Sequence, residues 1–375
     1  MKKHNKHVFL KKPNGGNFHR NEFGFIGAPC STIQILCDKI VLGLKGGYNI
    51  GYMDADHGSG DSSLNYHMVY TDKINFHQVN FEDSHTDYSL KQKFETCSGL
   101  LINANHFKSD QQIVIINEKK RESLSRKLDK LTNVKAFILD EGMNVPFDFL
   151  KESVANYEEV PILSIENIDS IIELIIDFVK ASNPSLFGLL LYGGKSTRMG
   201  SDKGRINYHG SSQVDYLSDL MKKYCDKTYV SKSQLSDGIK SDDVITDTFT
   251  DLGPFGGILS AFRANPNSAY FTLPCDVPFI DAPLIELLIS ERDPSKMATC
   301  FHNKETGFPE PLITIWEPRA YPSLLHFLSM GYSCPRKVLI NSDIKEIEPP
   351  HDLSLYNANT PEELAFAKEK LKSLN

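Results

Sequence analysis

The chain has 375 residues, 40% of them hydrophobic and 24% charged, the profile of an ordinary globular protein with room for about two domains. Its net charge of −7 excludes a general nucleic-acid binder, so any anionic substrate must meet a local basic pocket. No apolar run is long enough for a membrane span, the basic opening Met1–Lys12 has no apolar core, and the seven cysteines (30, 37, 97, 225, 275, 300, 334) form no C-x-x-C pair, which together predict a cytoplasmic protein with reduced thiols and no disulfide framework.

Residues 1–20 read as a flexible entry containing Pro13, Asn14, Gly15 and Gly16. Phe23–Ala28 is a short apolar strand. It runs through Pro29-Cys30-Ser31-Thr32 into a helical stripe, Ile33, Leu36, Ile40, Val41 and Leu44, that ends at Gly46-Gly47. A second strand, Tyr48–Met53, completes a βαβ unit. Beyond it, Asp54, Asp56, His57 and Asp61 offer ligands for a divalent cation, although a solvated loop tip is the preferred reading. His57, His67, His77, His85 and His106 pair at no ligand spacing and read as ordinary polar residues.

The middle continues as α/β. Strands are predicted at Tyr66–Tyr70, Phe76–Phe81, Gly99–Asn103, Gln112–Ile116, Val134–Asp140 and Val160–Ile165. Leu124, Leu128 and Leu131 make a packing stripe on a charged helix, Lys120–Leu131. Asn167 or Asp169 caps an apolar helix, Ile171–Val179. Ser182-Asn183-Pro184-Ser185 then breaks the pattern, because proline pushes its predecessor out of helix. The domain boundary is placed there, giving domains 1–182 and 183–375.

The stretch Leu189–Lys203 follows, LLLYGGKSTRMGSDK. An apolar run stops at two glycines, as a buried parallel strand does when its following turn must approach a ligand. Gly193, Gly194 and Gly200 leave backbone amides bare, and Lys195, Arg198 and Lys203 add charge beside them. Bare amides with cations after a strand suit phosphates. Neither the Walker loop nor the dinucleotide fingerprint matches this spacing.

Gln213–Tyr224 is helical, strands follow at Thr228–Ser231 and Val244–Thr246, and Asp247-Thr248-Phe249-Thr250-Asp251-Leu252-Gly253-Pro254 leads into a helix reaching Ala264. Strand Tyr270–Leu273 ends at Pro274-Cys275-Asp276-Val277-Pro278. Strands alternating with helices imply a mostly parallel sheet whose ligands sit at the carboxyl ends of the strands. The glycine-rich loop, Asp247 and Asp276 should therefore meet at one edge. A fixed carboxylate facing phosphates needs a cation between them, and Mg²⁺ suits Asp276. Asp276 is weighed also as a helix cap, but Asp281 is the better placed residue for that task.

The string from Leu189 to Lys203 resembles the nucleotidyltransferase signature, and within that superfamily the molybdenum cofactor guanylyltransferases. Further matches are Asp247 with Gly253-Pro254, the Cys275-Asp276-Val277-Pro278 run, Glu310-Pro311-Leu312, the basic Pro335-Arg336-Lys337-Val338-Leu339, and Asn357-Ala358-Asn359-Thr360-Pro361-Glu362-Glu363. The resemblance covers residues 186–375. It implies a Rossmann-like nucleotidyltransferase domain that moves GMP from GTP to molybdopterin and releases pyrophosphate. It implies nucleotide contacts at Leu191, Gly193, Gly194, Lys203, Asp247 and Asp276, catalysis by Arg198, Lys203 and Asp276, and Mg²⁺ on Asp276. Spacing alone does not separate Asp247 from Asp251. The basic helix at Pro335–Leu339 would face the second substrate, and Asn357 and Asn359 would help hold phosphate or metal.

Gly193-Gly194 favours guanine, since related cytidylyltransferases carry Ala-Gly there, whereas Tyr192 and Phe255 depart from the pattern. Tyr192 could narrow the base pocket. The implied partners are GTP, the molybdenum cofactor, and the molybdoenzymes or insertion proteins that take the product, with no nucleic acid and no membrane. Another base or acceptor, such as CTP or a sugar phosphate, and a non-catalytic adaptor are the alternatives. The opening βαβ unit resembles the P-loop adaptor protein of guanylyl-molybdopterin synthesis. A Walker loop there would start at Gly27, but Thr32 and Ile33 replace its Gly-Lys pair, which predicts a degenerate P-loop-like domain with a docking role.

Overall fold

A computed structural model describes residues 18–44, 48–55, 68–73, 75–81, 92–192, 203–232 and 244–374. The chain divides into two compact units, Met1–Ala181 and Ser182–Asn375. The described strands of the first are β1 (Asn21–Ile26), β2 (Ile50–Met53), β3 (Met68–Asp72), β4 (His77–Phe81), β5 (Gly99–Asn103), β6 (Gln111–Ile116), β7 (Val134–Leu139) and β8 (Ile162–Ser164). Six of them form a sheet in the order β2-β5-β1-β6-β7-β8, with every neighbouring pair parallel.

Both faces of this sheet are covered, which is why β1, β5 and β6 read as nearly continuous apolar runs. Ile33, Leu36 and Ile40 of helix Cys30–Gly43 and Ile171 and Ile175 of helix Ile168–Ala181 pack on one face with Phe23, Phe25 and Ile113. Leu124, Leu131 and Leu150 pack on the other with Ile26, Val114 and Phe137.

One expectation is corrected here. Lys120–Leu131 is not one helix but a 3₁₀ turn Glu118–Lys120, a short helix Arg121–Ser125 and a 3₁₀ turn Leu128–Lys130. The leucine stripe still packs, but tertiary contacts override the continuous helix: Lys127 Nζ donates to the Asn105 carbonyl, and Lys130 Nζ to those of Ala104 and Asn105. Phe149–Ser153 is a short helix that the leucine pattern does not announce. The strands near residues 70 and 78 pair antiparallel with each other, apart from the main sheet. Of the acidic group after β2, Asp56, His57 and Asp61 lie outside the described residues, as do His67 and His85.

The second unit holds β9 (Leu186–Leu191), β10 (Lys227–Lys232), β11 (Val244–Thr246), β12 (Ala269–Pro274), β13 (Ala298–Asn303), β14 (Phe308–Trp316) and β15 (Lys345–Ile347). They form a sheet in the order β11-β10-β9-β12-β14-β13-β15. The first four strands are mutually parallel, and β14 runs antiparallel to both neighbours. Leu217, Met221, Leu284 and Leu288 fill one face, and Phe255, Leu259, Phe262 and Leu324 the other. Gly256 lets helix Pro254–Ala264 sit close, since a Cβ there would lie 2.1 Å from the Phe249 carbonyl oxygen. Beneath the sheet, Arg292 grips Glu317 through two nitrogens at 2.6 and 3.0 Å and donates to the Pro184 carbonyl at 3.0 Å. All seven cysteines are free, and no helix among the described residues is long and apolar enough to cross a membrane.

Candidate active site

β9 is the centre of the parallel part of the second sheet, buried along its whole length. Its last residue, Leu191, pairs with Ser231 on β10 and Pro274 on β12. The ends of three strands are thus level, and whatever follows each strand shares one edge. Gly193, Gly194, Lys195, Arg198 and Gly200 lie outside the described residues. The described residues continue from Lys203, which opens a 3₁₀ turn, Lys203–Arg205.

That turn is fastened to the loop carrying Asp276. His209 Nε2 lies 3.0 Å from the Pro278 carbonyl oxygen. The Gln213 side-chain amide donates to the Val277 carbonyl at 2.9 Å, and the Tyr216 hydroxyl to that of Ile280 at 3.2 Å. The segment leaving the glycine-rich stretch and the Asp276 loop are therefore held together by three polar ties. Burial keeps His209 below its usual pKa. A lowered folded pKa means that stability falls as pH drops below the ordinary histidine value near 6.5. His209→Gln keeps a donor for Pro278 but cannot charge. Its melting temperature should therefore lose less than the parent's between pH 7 and pH 5; an equal loss would contradict this.

Asp276 follows β12 and is half-buried. Its carbonyl accepts the Ala358 amide at 2.8 Å, which places the Asn357–Asn359 segment alongside. The helix behind that segment has the reciprocal cap expected from sequence. Thr360 Oγ1 accepts from the Glu363 amide at 3.2 Å, and Glu363 Oε2 accepts from the Asn359 and Thr360 amides. Asp281, as expected, caps the next helix by accepting from Leu284 at 3.0 Å.

A residue with no assigned role in the sequence reading, Glu310, joins Asp276. Glu310 lies on β14, the antiparallel neighbour of β12, close enough for the Asp276 charge to act on its carboxyl. Glu310 is buried, and its carboxyl pKa is raised, chiefly by desolvation and in small part by the Asp276 charge. Asn303, the Leu312 amide and Arg336, 3.8 Å away, pull the other way. Tyr208 completes the group. Its hydroxyl is buried with no hydrogen-bond partner, and burial with the nearby Asp276 charge pushes its pKa up to about 12.

Asp247 ends β11 on the other side of β9. Its carboxylate accepts the Ser231 hydroxyl at 2.6 Å, and its amide donates to the Lys232 carbonyl at 2.7 Å. Burial raises its pKa against that hydrogen bond. Its strand lies three spacings from β12, roughly 14 Å, too far for Asp247 to share one ion with Asp276. Asp251 has a left-handed backbone φ of 60°. Lys232, also without a role in the sequence reading, is only 4% exposed, and its ammonium lies 4.4 Å from the Tyr192 ring centre. Tyr192 in turn covers Gly204, where a Cβ would meet the ring at 2.1 Å. No pattern of hydrophobicity announces Lys232 or Glu310, because a charged residue at a strand end reads as exposed.

The site is therefore a row along one sheet edge. A hydrogen-bonded carboxylate (Asp247) and a buried ammonium (Lys232) lie at one end. Two carboxylates and an unpartnered phenol (Asp276, Glu310, Tyr208) lie at the other, with Arg336 beyond them. All three donors at the second end are hard oxygens, a set that suits Mg²⁺ rather than a softer metal.

Residues 188–344 match the MobA-like NTP transferase domain family. A molybdenum cofactor guanylyltransferase from Pseudomonas aeruginosa is 33% identical over 190 residues, 48% of this chain and 93% of that protein. The molybdenum cofactor biosynthesis bifunctional protein of Synechocystis sp. is 34% identical over 185 residues, 48% of this chain and 53% of that protein, so the match spans about half the length of that relative. Among solved structures, the molybdopterin-guanine dinucleotide biosynthesis protein A of Archaeoglobus fulgidus covers 50% of the chain at 18% identity and a TM-score of 0.43. Bacillus subtilis MobB covers 42% of the chain at 15% identity and a TM-score of 0.32.

Proposed function

The chain belongs to the molybdenum cofactor guanylyltransferase family, and from that premise we propose that residues 183–375 transfer GMP from GTP to molybdopterin or the molybdenum cofactor. The observation that carries this reading is the Asp276 loop, held at the carboxyl edge of the parallel strands by three polar ties to the segment that leaves the glycine-rich stretch.

The reaction needs no protein nucleophile. A phosphate oxygen of the acceptor attacks the α-phosphorus of GTP, the bond between the α-phosphorus and its bridging oxygen breaks, and pyrophosphate leaves. Both reactants are anions, so the barrier is largely positional and electrostatic. Amides of Gly193, Gly194 and Gly200, with Arg198 and Lys203, hold the triphosphate. Asp247 meets the nucleoside, and Lys232 adds a buried positive charge behind the phosphates. Leu191 forms the apolar floor. Asp276 and Glu310 would hold Mg²⁺, which would supply charge compensation for the α-phosphate and the leaving pyrophosphate. Arg336, beside Glu310, faces the acceptor's phosphate. Residues 1–182 form a separate domain with a docking role toward the proteins that take the finished cofactor.

Acceptor-dependent pyrophosphate release tests this. With GTP, Mg²⁺ and molybdopterin, release should match product formation mole for mole. A sugar phosphate that serves equally well would move the protein to another acceptor class, and no release at all would leave a binding protein.

A further inference from the structure

The first unit contains a second cluster of chemistry-bearing side chains, and local spacing gives no sign of it. Cys30, Asp54 and His106 are far apart in sequence, but each lies just beyond the carboxyl end of a strand: Cys30 after β1, Asp54 after β2, His106 after β5. Those three strands are neighbours, in the order β2-β5-β1. One ligand atom from each residue lies within 4.8 Å of the other two, and Cys30 Sγ is 3.2 Å from His106 Nε2. The chain leaves β1 toward β2 and leaves β5 toward β6, in opposite directions across the sheet. This is the crevice where open α/β sheets take ligands.

We propose that Cys30, Asp54 and His106 bind a zinc-class divalent cation, with a fourth coordination position left open. A thiolate, an imidazole and a carboxylate are the ligand types zinc takes, and three protein ligands leave one position for water or another ligand. The two anionic ligands balance the charge of a divalent ion. Bond lengths of about 2.0–2.3 Å put ligand atoms of a tetrahedral ion roughly 3.3–3.7 Å apart. The Cys30–His106 edge is close to that, and the edges to Asp54 reach it by about 1 Å of side-chain rotation at Cys30 and His106.

The surroundings are built to present these groups. Asp54 Oδ1 accepts from the Asn103 side-chain amide and the Ala55 backbone amide, and Oδ2 accepts from the Tyr52 hydroxyl, each at 2.7 Å. A carboxylate has about four acceptor positions, so these three bonds orient it and, among the described residues, leave one for a metal. Asn103 is fully buried, and its Oδ1 accepts the Asn105 amide at 3.2 Å. That one side chain thus positions both the carboxylate and the turn that carries His106. The Asn105 side chain then donates to the Ala28 carbonyl at 2.9 Å, tying the same turn to the segment before Cys30. Hydrogen-bonded support of this kind behind metal ligands is commonly worth a factor of about 10–100 in affinity.

The site belongs to residues 1–181, and its test does not pass through nucleotide transfer. The full chain, stripped of metal by a chelator, is titrated with Co²⁺ as a spectroscopic probe and then with Zn²⁺ alone. One equivalent of Co²⁺ should produce a thiolate-to-cobalt charge-transfer band, which Zn²⁺ removes by competition. Cys30→Ser should abolish the band, while Cys97→Ser keeps it. His106→Gln and Asp54→Asn should each weaken Zn²⁺ binding at least about 10-fold, and Asn103→Ala, as a positioning change, by a smaller factor with the band retained. Circular dichroism of each variant confirms the fold. Absence of the band in the parent chain, or its survival in folded Cys30→Ser, would overturn the proposal.

Discussion

Asp276→Ala should lower the rate of nucleotide transfer by at least about 10²–10³, the usual loss when one stabiliser of transition-state charge is removed. Asp276→Asn should lose nearly as much, although it preserves shape. The reason lies in how the loop is held. The Asp276 carbonyl, the Val277 carbonyl and the Pro278 carbonyl are each engaged by another segment. The carboxylate is therefore presented from a rigid loop, and a neutral amide in the same place offers no charge to a cation. Circular dichroism should show both variants folded. A variant that keeps more than a tenth of the parent's turnover would remove Asp276 from the metal site.

Glu310 sharpens this prediction through its sign. Its folded pKa is raised, mainly by desolvation, so the native state holds a proton to higher pH than the unfolded chain does. Without metal, stability therefore falls as pH rises from the ordinary carboxylate range to the raised folded value. Glu310→Gln should lose activity while the metal-free protein melts no lower than the parent at neutral pH. That combination marks a residue kept for chemistry rather than for stability.

Arg292→Ala should cost the second unit about 3–5 kcal/mol, because it strands a buried carboxylate. Glu317 has a side-chain exposure of 1% and Arg292 of 12%, and the two make a paired contact at 2.6 and 3.0 Å. The same guanidinium holds the Pro184 carbonyl just ahead of β9, so its loss also loosens the start of the central strand. For a unit of this size the melting temperature should fall by on the order of 10 °C. Replacing both partners, Arg292→Met with Glu317→Leu, should recover most of the loss, since no buried charge then lacks its partner. A single variant within about 1 kcal/mol of the parent would contradict the assignment.

Local signals in the sequence were readable where one segment decides its own structure. The Thr360–Glu363 cap and the Asp281 cap depend on residues three positions apart, and both form. The apolar run Leu189–Leu191 is buried, as its composition requires. Readability ended where distant segments decide. Glu310 meets Asp276 only because β14 runs antiparallel to β12, and no spacing within either strand contains that fact. Cys30, Asp54 and His106 come from three strands whose order in the sheet differs from their order in the chain. After Lys120 the leucine stripe packs as expected, but the single helix breaks into short turns where Lys127 and Lys130 reach across to backbone carbonyls near residue 105. The Tyr192 ring packs on Gly204 under the Lys232 ammonium, a contact that no local spacing announces.

The most direct measurement is a crystal soaked with GTP and Mn²⁺, whose anomalous signal reports where the cation in magnesium's place sits. The account predicts one ion bridging the Asp276 carboxylate and the α-phosphate, with guanine lying toward Asp247. An ion bound to the nucleotide with no contact to Asp276, or a triphosphate seated away from this sheet edge, would contradict it.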